Sequence, residues 1–215
     1  MSQFFKVHPD NPQLHLIRQT ANLLLKGGLI VYPTDSAYAL GCQMSNKAGI
    51  ERLRRIRQLD DKHCLTLLCR DISEIASYAQ LENSIFRLLK VNTPGPYTFL
   101  LSATTKEVPR AIIDAKRKTV GVRIPDNKIV QALLEMLDEP LVSSTLILPG
   151  GDLPLLEPEA MRDMLGKRVD LIIDGGFCGI EPSTVVDLID GVPRIVRKGK
   201  GDITPFQSSE SVPFS

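Results

Sequence analysis

Short apolar runs of strand length interleave with amphipathic helical stretches along most of the chain. Eight runs predict strands, at 29–32, 65–69, 97–101, 119–124, 141–148, 169–173, 184–188 and 193–198. Seven stretches with helical spacing of apolar residues predict helices, at 14–25, 45–57, 72–78, 84–90, 109–114, 128–137 and 158–166. The two kinds of element do not alternate regularly, as they would in a doubly wound nucleotide-binding fold. The pattern therefore predicts a single α/β domain, residues 1–206, built on a mixed, twisted sheet.

The composition is that of one ordinary globular domain. The chain has 215 residues, of which 43% are hydrophobic and 24% charged, so it can bury a full core. Residues 207–215 are polar with few apolar anchors and predict a disordered tail. No apolar run approaches the roughly 20 residues needed to span a bilayer, and residues 1–10 lack the apolar core of a secretory signal. We expect a cytoplasmic protein with no membrane partner.

The cysteines and glycines do not form a known metal or phosphate motif. Cys42, Cys64, Cys69 and Cys178 have no C-x-x-C spacing, and most lie in apolar segments. They are therefore interpreted as small buried side chains, and no metal site or disulfide is predicted. Neither G-x-x-x-x-G-K-[ST] nor G-x-G-x-x-G occurs, so a phosphate-binding loop of either kind has no support.

Positive charge is concentrated in the middle of the chain. The net charge is only +1, but residues 51–128 hold 15 Lys and Arg against 9 Asp and Glu. Such an excess is expected of a face directed at phosphates, whether of a nucleotide or of RNA. Exposed helix faces carry similar charge without any ligand, so both interpretations stay open.

The segment 31–42 places hydroxyls, a carboxylate and an aromatic ring directly after a β-branched run. Pro33 ends the predicted strand because proline has no N–H to donate to a ladder. Thr34 and Asp35 suit a turn in which their side chains cap local backbone groups. A loop that leaves a buried strand is also where binding sites are built. The residues of this segment alone leave both interpretations open.

Six segments taken together resemble the landmarks of one known superfamily. In order they are PTDSAYALGC (33–42), NTPGPYT (92–98), TVGVRIP (119–125), PLVSST (140–145), STVVDL (183–188) and RIVRKG (194–199). Their order and spacing are similar to those of the YrdC-like superfamily, which contains the Sua, YrdC and YciO proteins. The segments 56–59 and 146–150 resemble the YciO branch. The resemblance implies the catalytic domain alone, without the C-terminal extension of the two-domain members.

The resemblance implies an open, twisted α/β sheet with a basic concave surface suited to nucleotides and double-stranded RNA. Enzymatic members make L-threonylcarbamoyl-AMP from L-threonine, bicarbonate and ATP, for a modification of tRNA beside the anticodon. In that reaction the carbamate oxygen of carboxylated threonine displaces pyrophosphate from the α-phosphate. Cations must therefore lie beside the triphosphate, and Mg²⁺ enters with ATP if the protein is enzymatic. Otherwise no cofactor is expected.

The resemblance also implies roles for particular residues. Positions that match the threonine pocket are Ser36, Thr119, Arg123, Ser143 and Thr184. Positions that match the nucleotide site are Arg57, His63, Thr145 and Arg197. Arg57, Arg123 and Ser143 would be catalytic, with Arg123 as a fork for the threonine carboxylate. From the residues alone, hydroxyls bonded to backbone and a surface charge at a strand end would be the simpler interpretation.

Departures from the family pattern fall where charge neutralisation is needed. The family joins a lysine and an arginine one residue apart, and here that pair is Arg57 and Leu59. It also joins a serine and an asparagine one residue apart, and here that pair is Thr145 and Ile147. His63 replaces a usual asparagine, and Leu68 stands where many members have a histidine. Each lost charge-assisted contact costs on the order of 2–4 kcal/mol.

Two hypotheses follow from this pattern. The favoured one is a protein that binds ATP or AMP and double-stranded RNA or tRNA, with weak or absent threonylcarbamoyl-AMP synthase activity. The alternative is a working synthase with a rearranged phosphate clamp, which would also bind L-threonine and bicarbonate. The candidate RNA contacts are Arg52, Arg54, Arg55, Lys62, Arg110, Lys116, Arg117, Lys118, Lys198 and Lys200. Only 5% of residues are aromatic, which favours contacts to a duplex backbone over base stacking.

Overall fold

The described residues form ten strands and six α-helices. The computed structural model describes residues 2–60, 63–104, 108–114 and 116–207. The strands are β1 (Gln3–Lys6), β2 (Ile30–Tyr32), β3 (Ala39–Gln43), β4 (Thr66–Leu68), β5 (Tyr97–Ser102), β6 (Thr119–Arg123), β7 (Leu141–Thr145), β8 (Leu171–Asp174), β9 (Thr184–Asp187) and β10 (Arg194–Arg197). The helices are α1 (Leu14–Leu25), α2 (Lys47–Arg57), α3 (Ile72–Tyr78), α4 (Asn83–Asn92), α5 (Lys128–Leu134) and α6 (Pro158–Leu165), and a 3₁₀ turn covers Thr204–Phe206.

All ten strands join one open sheet. Their order is β1-β8-β2-β3-β7-β4-β6-β5-β9-β10, and the sheet mixes parallel with antiparallel pairs. The predicted single-domain, mixed and open α/β sheet is thus confirmed. In the middle of the sheet, Thr66 of β4 pairs with Ser143 of β7 on one side and with Gly121 of β6 on the other.

Helices pack against one face of the sheet. Apolar residues of α2, α3, α4 and α6, such as Leu53, Ile75, Leu89 and Met161, share a core cluster with inward residues of the strands, among them Leu67. Successive side chains of a strand point to opposite faces, so every second strand residue lies in this core. Burial of these side chains supplies most of the stabilising free energy of the fold.

The other face is covered only at one end. A second core cluster joins α1 and α5 to Ile30, Ala39, Leu68, Leu141 and Leu171. Further along β4, β5, β6 and β7 this face carries mostly small or polar residues, Thr66, Thr98, Gly121 and Ser143, with Leu100 of β5 as an apolar exception. The sheet therefore has an uncovered half-face, and its strands change from apolar to polar where the helices end.

Two strands and one turn depart from the sequence prediction. β1 was not predicted because Gln3–Lys6 is a short edge strand with no clear alternation, held by parallel pairing to β8. β3 was not predicted because Ala39–Gln43 has weak strand propensity, and its pairing with β2 and β7 decides its structure.

The predicted helix at 109–114 is wrong. Asp114 pairs across a bridge with Thr119, and its carboxylate accepts from the N–H groups of Lys116 and Arg117. Asp114 thus holds a turn that leads into β6, because its side chain satisfies the backbone donors that a helix would have satisfied.

The helices are short. Within the ranges given above, no helix combines the length and apolarity required to cross a bilayer.

Candidate functional site

A polar cavity of about 240 Å³ lies on the uncovered half-face of the sheet. Hydroxyl groups form much of its wall, and they come from Thr34, Thr66, Thr98, Ser143, Ser144, Thr145 and Ser183. Three arginines and one histidine also line it, namely Arg57, Arg123, Arg197 and His63. No acidic side chain is among the described residues that line it. The cavity is therefore suited to a polar ligand that carries negative charge.

The floor of the cavity follows from strand geometry. Thr66, Gly121 and Ser143 lie side by side on β4, β6 and β7, with their side chains on the uncovered face. Thr98 on β5 and Ser183 before β9 extend the row, and their hydroxyls are 2.7 Å apart. Small residues here leave room that larger ones would fill, so the cavity depends on their size as well as their polarity.

Arg123 and Asp35 form a buried ion pair at the side of the cavity. Their side chains are 7% and 9% exposed, and one guanidinium nitrogen of Arg123 donates to Oδ1 of Asp35. Arg123 Nε and Asp35 Oδ2 are buried without a hydrogen-bond partner in the described part of the chain. Unpaired buried polar atoms are costly, and here Arg123 Nε keeps an unused donor and Asp35 Oδ2 an unused acceptor.

Two further arginines face the cavity without a counter-charge. Arg57 Nε donates to Ser144 Oγ at 3.3 Å, and burial lowers the pKa of Arg57. Arg197 donates to the carbonyl of Ser183 at 2.8 Å. Desolvation, and then the charge of Arg123, lowers the pKa of Arg197. Neither arginine has a carboxylate partner among the described residues. Both arginines are therefore available to an anion.

His63 stands on the cavity wall between arginines. Desolvation lowers the pKa of His63, and the charges of Arg57 and Arg54 lower it further. Asp60 and Arg197 also act on it, in opposite directions. The imidazole is therefore neutral at pH 7 in the free protein and gains a charge only when acid or an anion favours it.

The loop 33–38 is both a capped turn and a wall of the cavity. Thr34 Oγ1 accepts from the N–H groups of Ser36 and Ala37 and donates to the carbonyl of Ala37 at 2.7 Å. Thr34 also lines the cavity, whereas Ser36 is buried behind it with its hydroxyl 3.1 Å from Thr34 Oγ1. The two interpretations of this segment are thus compatible.

Thr119 and Thr184, which were also matched to the threonine pocket, do not line the cavity. Thr184 lies on the helix-covered face of β9, where its hydroxyl donates to the carbonyl of Gly201 and accepts from Gly199. Its neighbour Ser183 takes the cavity position instead, because adjacent residues of a strand face opposite ways. Thr119 is buried at the far end of β6, beside Asp114. Their predicted role is untested, and their placement favours support of the strands.

Sequence reasoning missed several residues that the fold brings to the site. Asp35 pairs with Arg123, and Thr66, Thr98 and Ser183 supply hydroxyls to the floor. One sequence signal was available: Thr66 and Thr98 are polar residues within otherwise apolar strands, and alternation places them on the uncovered face. No local signal marks Asp35 as the partner of a residue 88 positions away.

The candidate RNA contacts are spread over several places, and none of those within the described ranges lines the cavity. Arg52 pairs with Asp170 at 2.8 Å in a second, more open depression. Arg54 donates to the carbonyls of Asp60, His63 and Ala111. The exposed candidates are Arg55, Arg110, Lys116, Arg117, Lys118, Lys198 and Lys200, of which Arg117 pairs with Asp187 and Lys200 donates to the carbonyl of Asp35. Lys62 lies outside the described residues.

A protein-held metal does not fit the residues in place. No group of three or more His, Cys, Asp or Glu within the described ranges could hold an ion. Asp35, a carboxylate beside the cavity-lining Arg123, is already paired with that arginine.

Comparison with known proteins identifies the family. A family model named for Sua5, YciO and YrdC, with the description "Telomere recombination", matches residues 22–199. The chain belongs to this family. It is 56% identical to the YciO protein of Escherichia coli over 206 residues, which is 96% of this chain and 100% of that protein. The crystal structure of that YciO matches with a TM-score of 0.92 over the same shares of the two chains.

Members of the Sua5/YciO/YrdC family with a named activity are also similar. The threonylcarbamoyl-AMP synthase of Marinobacter nauticus is 31% identical over 185 residues, covering 85% of this chain and 95% of that protein. The structure of Sua5 of P. abyssi complexed with L-threonine matches with a TM-score of 0.84 at 24% identity, over 92% of this chain and 58% of that one. That second likeness shows a shared fold.

The residues that depart from the Sua5/YciO/YrdC pattern have different surroundings here. Ile147 and Leu68 line the cavity, so these two positions offer apolar surface where the family pattern expects polar groups. Leu59 instead packs against the helix-covered core, just after α2 ends at Arg57. The end of α2 thus presents one cation to the cavity.

Removal of Asp35 tests the buried ion pair. Asp35→Ala leaves the Arg123 charge buried and uncompensated, so we expect the free energy of unfolding in urea to fall by about 3–5 kcal/mol. The matched control is Asp10→Ala, which breaks an exposed pair with Lys128. That control should cost less than about 1 kcal/mol. Equal small losses in both variants would contradict the assigned pair.

The lowered pKa of His63 predicts pH-dependent anion binding. A bound anion favours the imidazolium, so the pKa of His63 is higher in the complex than in the free protein. Proton uptake then accompanies binding, and affinity must rise as pH falls through the interval between the two pKa values. Calorimetric titration with inorganic phosphate between about pH 7.5 and 5.5 measures this. In His63→Gln the affinity should change with pH only as far as phosphate itself titrates. The same pH dependence in this variant and in the wild type would contradict a role for His63.

Proposed function

We propose that the protein binds ATP or AMP in the cavity and double-stranded RNA or tRNA on the surrounding basic surface, with weak or absent threonylcarbamoyl-AMP synthase activity. The observation that carries this is the pair Arg57 and Arg197, two partly desolvated arginines without a counter-charge above a floor of hydroxyls. Phosphate oxygens are the ligands that guanidinium forks and hydroxyls recognise together. These substrates are those of the cytoplasm, where we propose that the protein acts.

Weak activity is inferred from two of the apolar residues that line the cavity, at positions where the resemblance predicts polar groups. Leu68 and Ile147 cannot donate a hydrogen bond to a phosphate or to a developing negative charge. Leu59 supplies no second cation either, because it is an uncharged side chain that packs against the core. Substrate can thus be held while the charge that moves to the leaving pyrophosphate is poorly stabilised.

A second candidate is an active synthase that makes threonylcarbamoyl-AMP from L-threonine, bicarbonate and ATP. It is favoured by the 31% identity to a threonylcarbamoyl-AMP synthase and by the orphaned atoms of Arg123 and Asp35. An α-amino acid carries a carboxylate and an ammonium group, which these two atoms would satisfy together. The Sua5 structure complexed with L-threonine supports the same ligand class.

Nucleotide affinity tests the two arginines. We expect Arg57→Ala and Arg197→Ala each to weaken AMP binding at least about tenfold, because each removes a charge-assisted hydrogen bond from a partly desolvated site. The matched control is Arg87→Ala, an exposed arginine on α4 on the far side of the sheet, which should leave the dissociation constant unchanged. Titration calorimetry measures all four proteins. Equal affinity of the wild type and both cavity variants would refute the proposed site.

Turnover separates the two candidates. The protein is incubated with L-threonine, bicarbonate, labelled ATP and Mg²⁺ supplied as the ion of ATP, and threonylcarbamoyl-AMP and pyrophosphate are followed. We expect slow or undetectable turnover, and a gain of at least about tenfold in Ile147→Asn, where an amide can donate to the substrate. Ile147→Val is the control that should gain nothing. Rapid wild-type turnover that Arg123→Ala abolishes would establish the synthase instead.

Salt dependence tests the RNA surface. A short RNA duplex should bind with an affinity that falls steeply between about 50 and 200 mM salt, since phosphate contacts release counterions. Arg55→Ala and Lys198→Ala remove exposed charges and should each reduce the slope by about one. Arg87→Ala, an exposed arginine on α4 that is not among the candidate RNA contacts, again serves as the control. Affinity that does not change with salt would exclude an electrostatic surface.

A further inference from the structure

A buried tyrosine reaches across a neighbouring strand to a serine on the cavity floor. Tyr32 at the end of β2 is fully buried, and its hydroxyl donates to Ser143 Oγ on β7 at 2.6 Å. Strand β3 lies between β2 and β7, and its residue opposite Ser143 is Gly41. A Cβ at Gly41 would lie 2.7 Å from Cε1 of the tyrosine ring and 3.1 Å from its hydroxyl. The lack of a side chain at Gly41 is therefore what allows the ring to cross β3.

The direction of this hydrogen bond is set by its chemistry. A phenol is a stronger donor and a weaker acceptor than an alkyl hydroxyl, so Tyr32 donates and Ser143 accepts. Burial raises the pKa of Tyr32 well above its ordinary value, so the phenol keeps its proton at neutral pH. Tyr32 contacts no other polar side chain by a hydrogen bond within the described ranges.

The proton of Ser143 is left without a protein acceptor. Ser143 is nearly buried and lines the cavity, and its hydroxyl donates to no group among the described residues. A serine hydroxyl has one proton and two lone pairs, and Tyr32 occupies one lone pair. The remaining proton therefore has only the cavity to point into.

We propose that Tyr32 is a positioning residue that commits the Ser143 hydroxyl to donate into the cavity, which makes this point of the floor a subsite for an acceptor oxygen of a carboxylate or a phosphate. The inference rests on the proposed function for the presence of an anionic ligand in the cavity. The orientation of the hydroxyl itself depends only on Tyr32, Gly41 and Ser143.

Neutron diffraction of the deuterated protein without ligand tests the orientation directly. The expected result is a Tyr32 deuteron on the line to Ser143 Oγ and a Ser143 deuteron that points into the cavity. A Ser143 deuteron directed at the tyrosine oxygen, or at a backbone carbonyl, would overturn the proposal. This result is independent of whether the protein binds nucleotide or threonine, so it separates the failure of the subsite from the failure of the proposed function.

A double-mutant cycle tests the consequence for binding. L-Threonine and inorganic phosphate serve as probes of a carboxylate and a phosphate, and calorimetry gives the dissociation constants. Tyr32→Phe keeps the ring but removes the hydroxyl, and it should weaken the affinity for the probe about three- to tenfold. It should have no further effect on affinity when Ser143 is already alanine. Equal losses from Tyr32→Phe in both backgrounds would mean that Tyr32 acts through packing alone, which contradicts the proposal.

Gly41→Ala gives a second route to the same result. The added methyl group must displace the ring of Tyr32, so this variant should lose affinity as Tyr32→Phe does. Unfolding in urea identifies any general loss of structure. In that measurement Tyr32→Phe/Ser143→Ala should be more stable than Ser143→Ala alone, because the double variant leaves no phenol unpaired. The reverse order would contradict the assigned hydrogen bond.

Discussion

The uncovered half of one sheet face is the constraint from which the rest of the site follows. Helices α1 and α5 cover β8, β2 and the adjoining ends of β3, β7 and β4, and no described helix packs on the remainder. A strand that crosses this boundary must be apolar at one end and polar at the other. β7 does so with Leu141 and Ser143, and β4 with Leu68 and Thr66. The cavity is the place where the sheet itself meets solvent.

The arginines at this boundary are partly removed from water, so each needs a partner that stabilises its charge. Arg123 is nearly buried, and the carboxylate of Asp35 makes its charge tolerable while leaving one atom of each partner unsatisfied. Arg57 and Arg197 are more exposed than Arg123, and hydroxyl or backbone oxygens orient them. The site is thus graded, with a neutralised pair deep in the cavity and, nearer its mouth, two arginines that have no carboxylate partner among the described residues. Such a gradient suits a ligand whose polar head is small and whose phosphates remain outside.

The sequence predicted the elements that carry a strong pattern. Helices with regular apolar spacing, such as α2 and α6, were found, as were strands rich in β-branched residues, such as β6. β3 was not found, because Ala39–Gln43 becomes a strand only through its partners on both sides. The helix expected at 109–114 failed because the Asp114 carboxylate satisfies the backbone of a turn.

The same limit applies to the site. Of the residues that the family resemblance picked out, Arg57 at the end of α2 and Arg123, Ser143 and Arg197 on the strands lie around one cavity. Thr184 lies one residue after the cavity-lining Ser183 and therefore points to the helix-covered face. Asp35, Tyr32 and Gly41 act through long-range contacts that have no local signal. Pairing register, and not residue type alone, decides which hydroxyls reach the cavity.

The central claim is that ligand binds on the uncovered half-face, and amide NMR of the protein titrated with ATP tests it most directly. We predict that the amide chemical-shift changes concentrate in β4, β6 and β7 and around Arg57 and Arg197. Changes confined to the second depression, around Arg52 and Asp170, would contradict it.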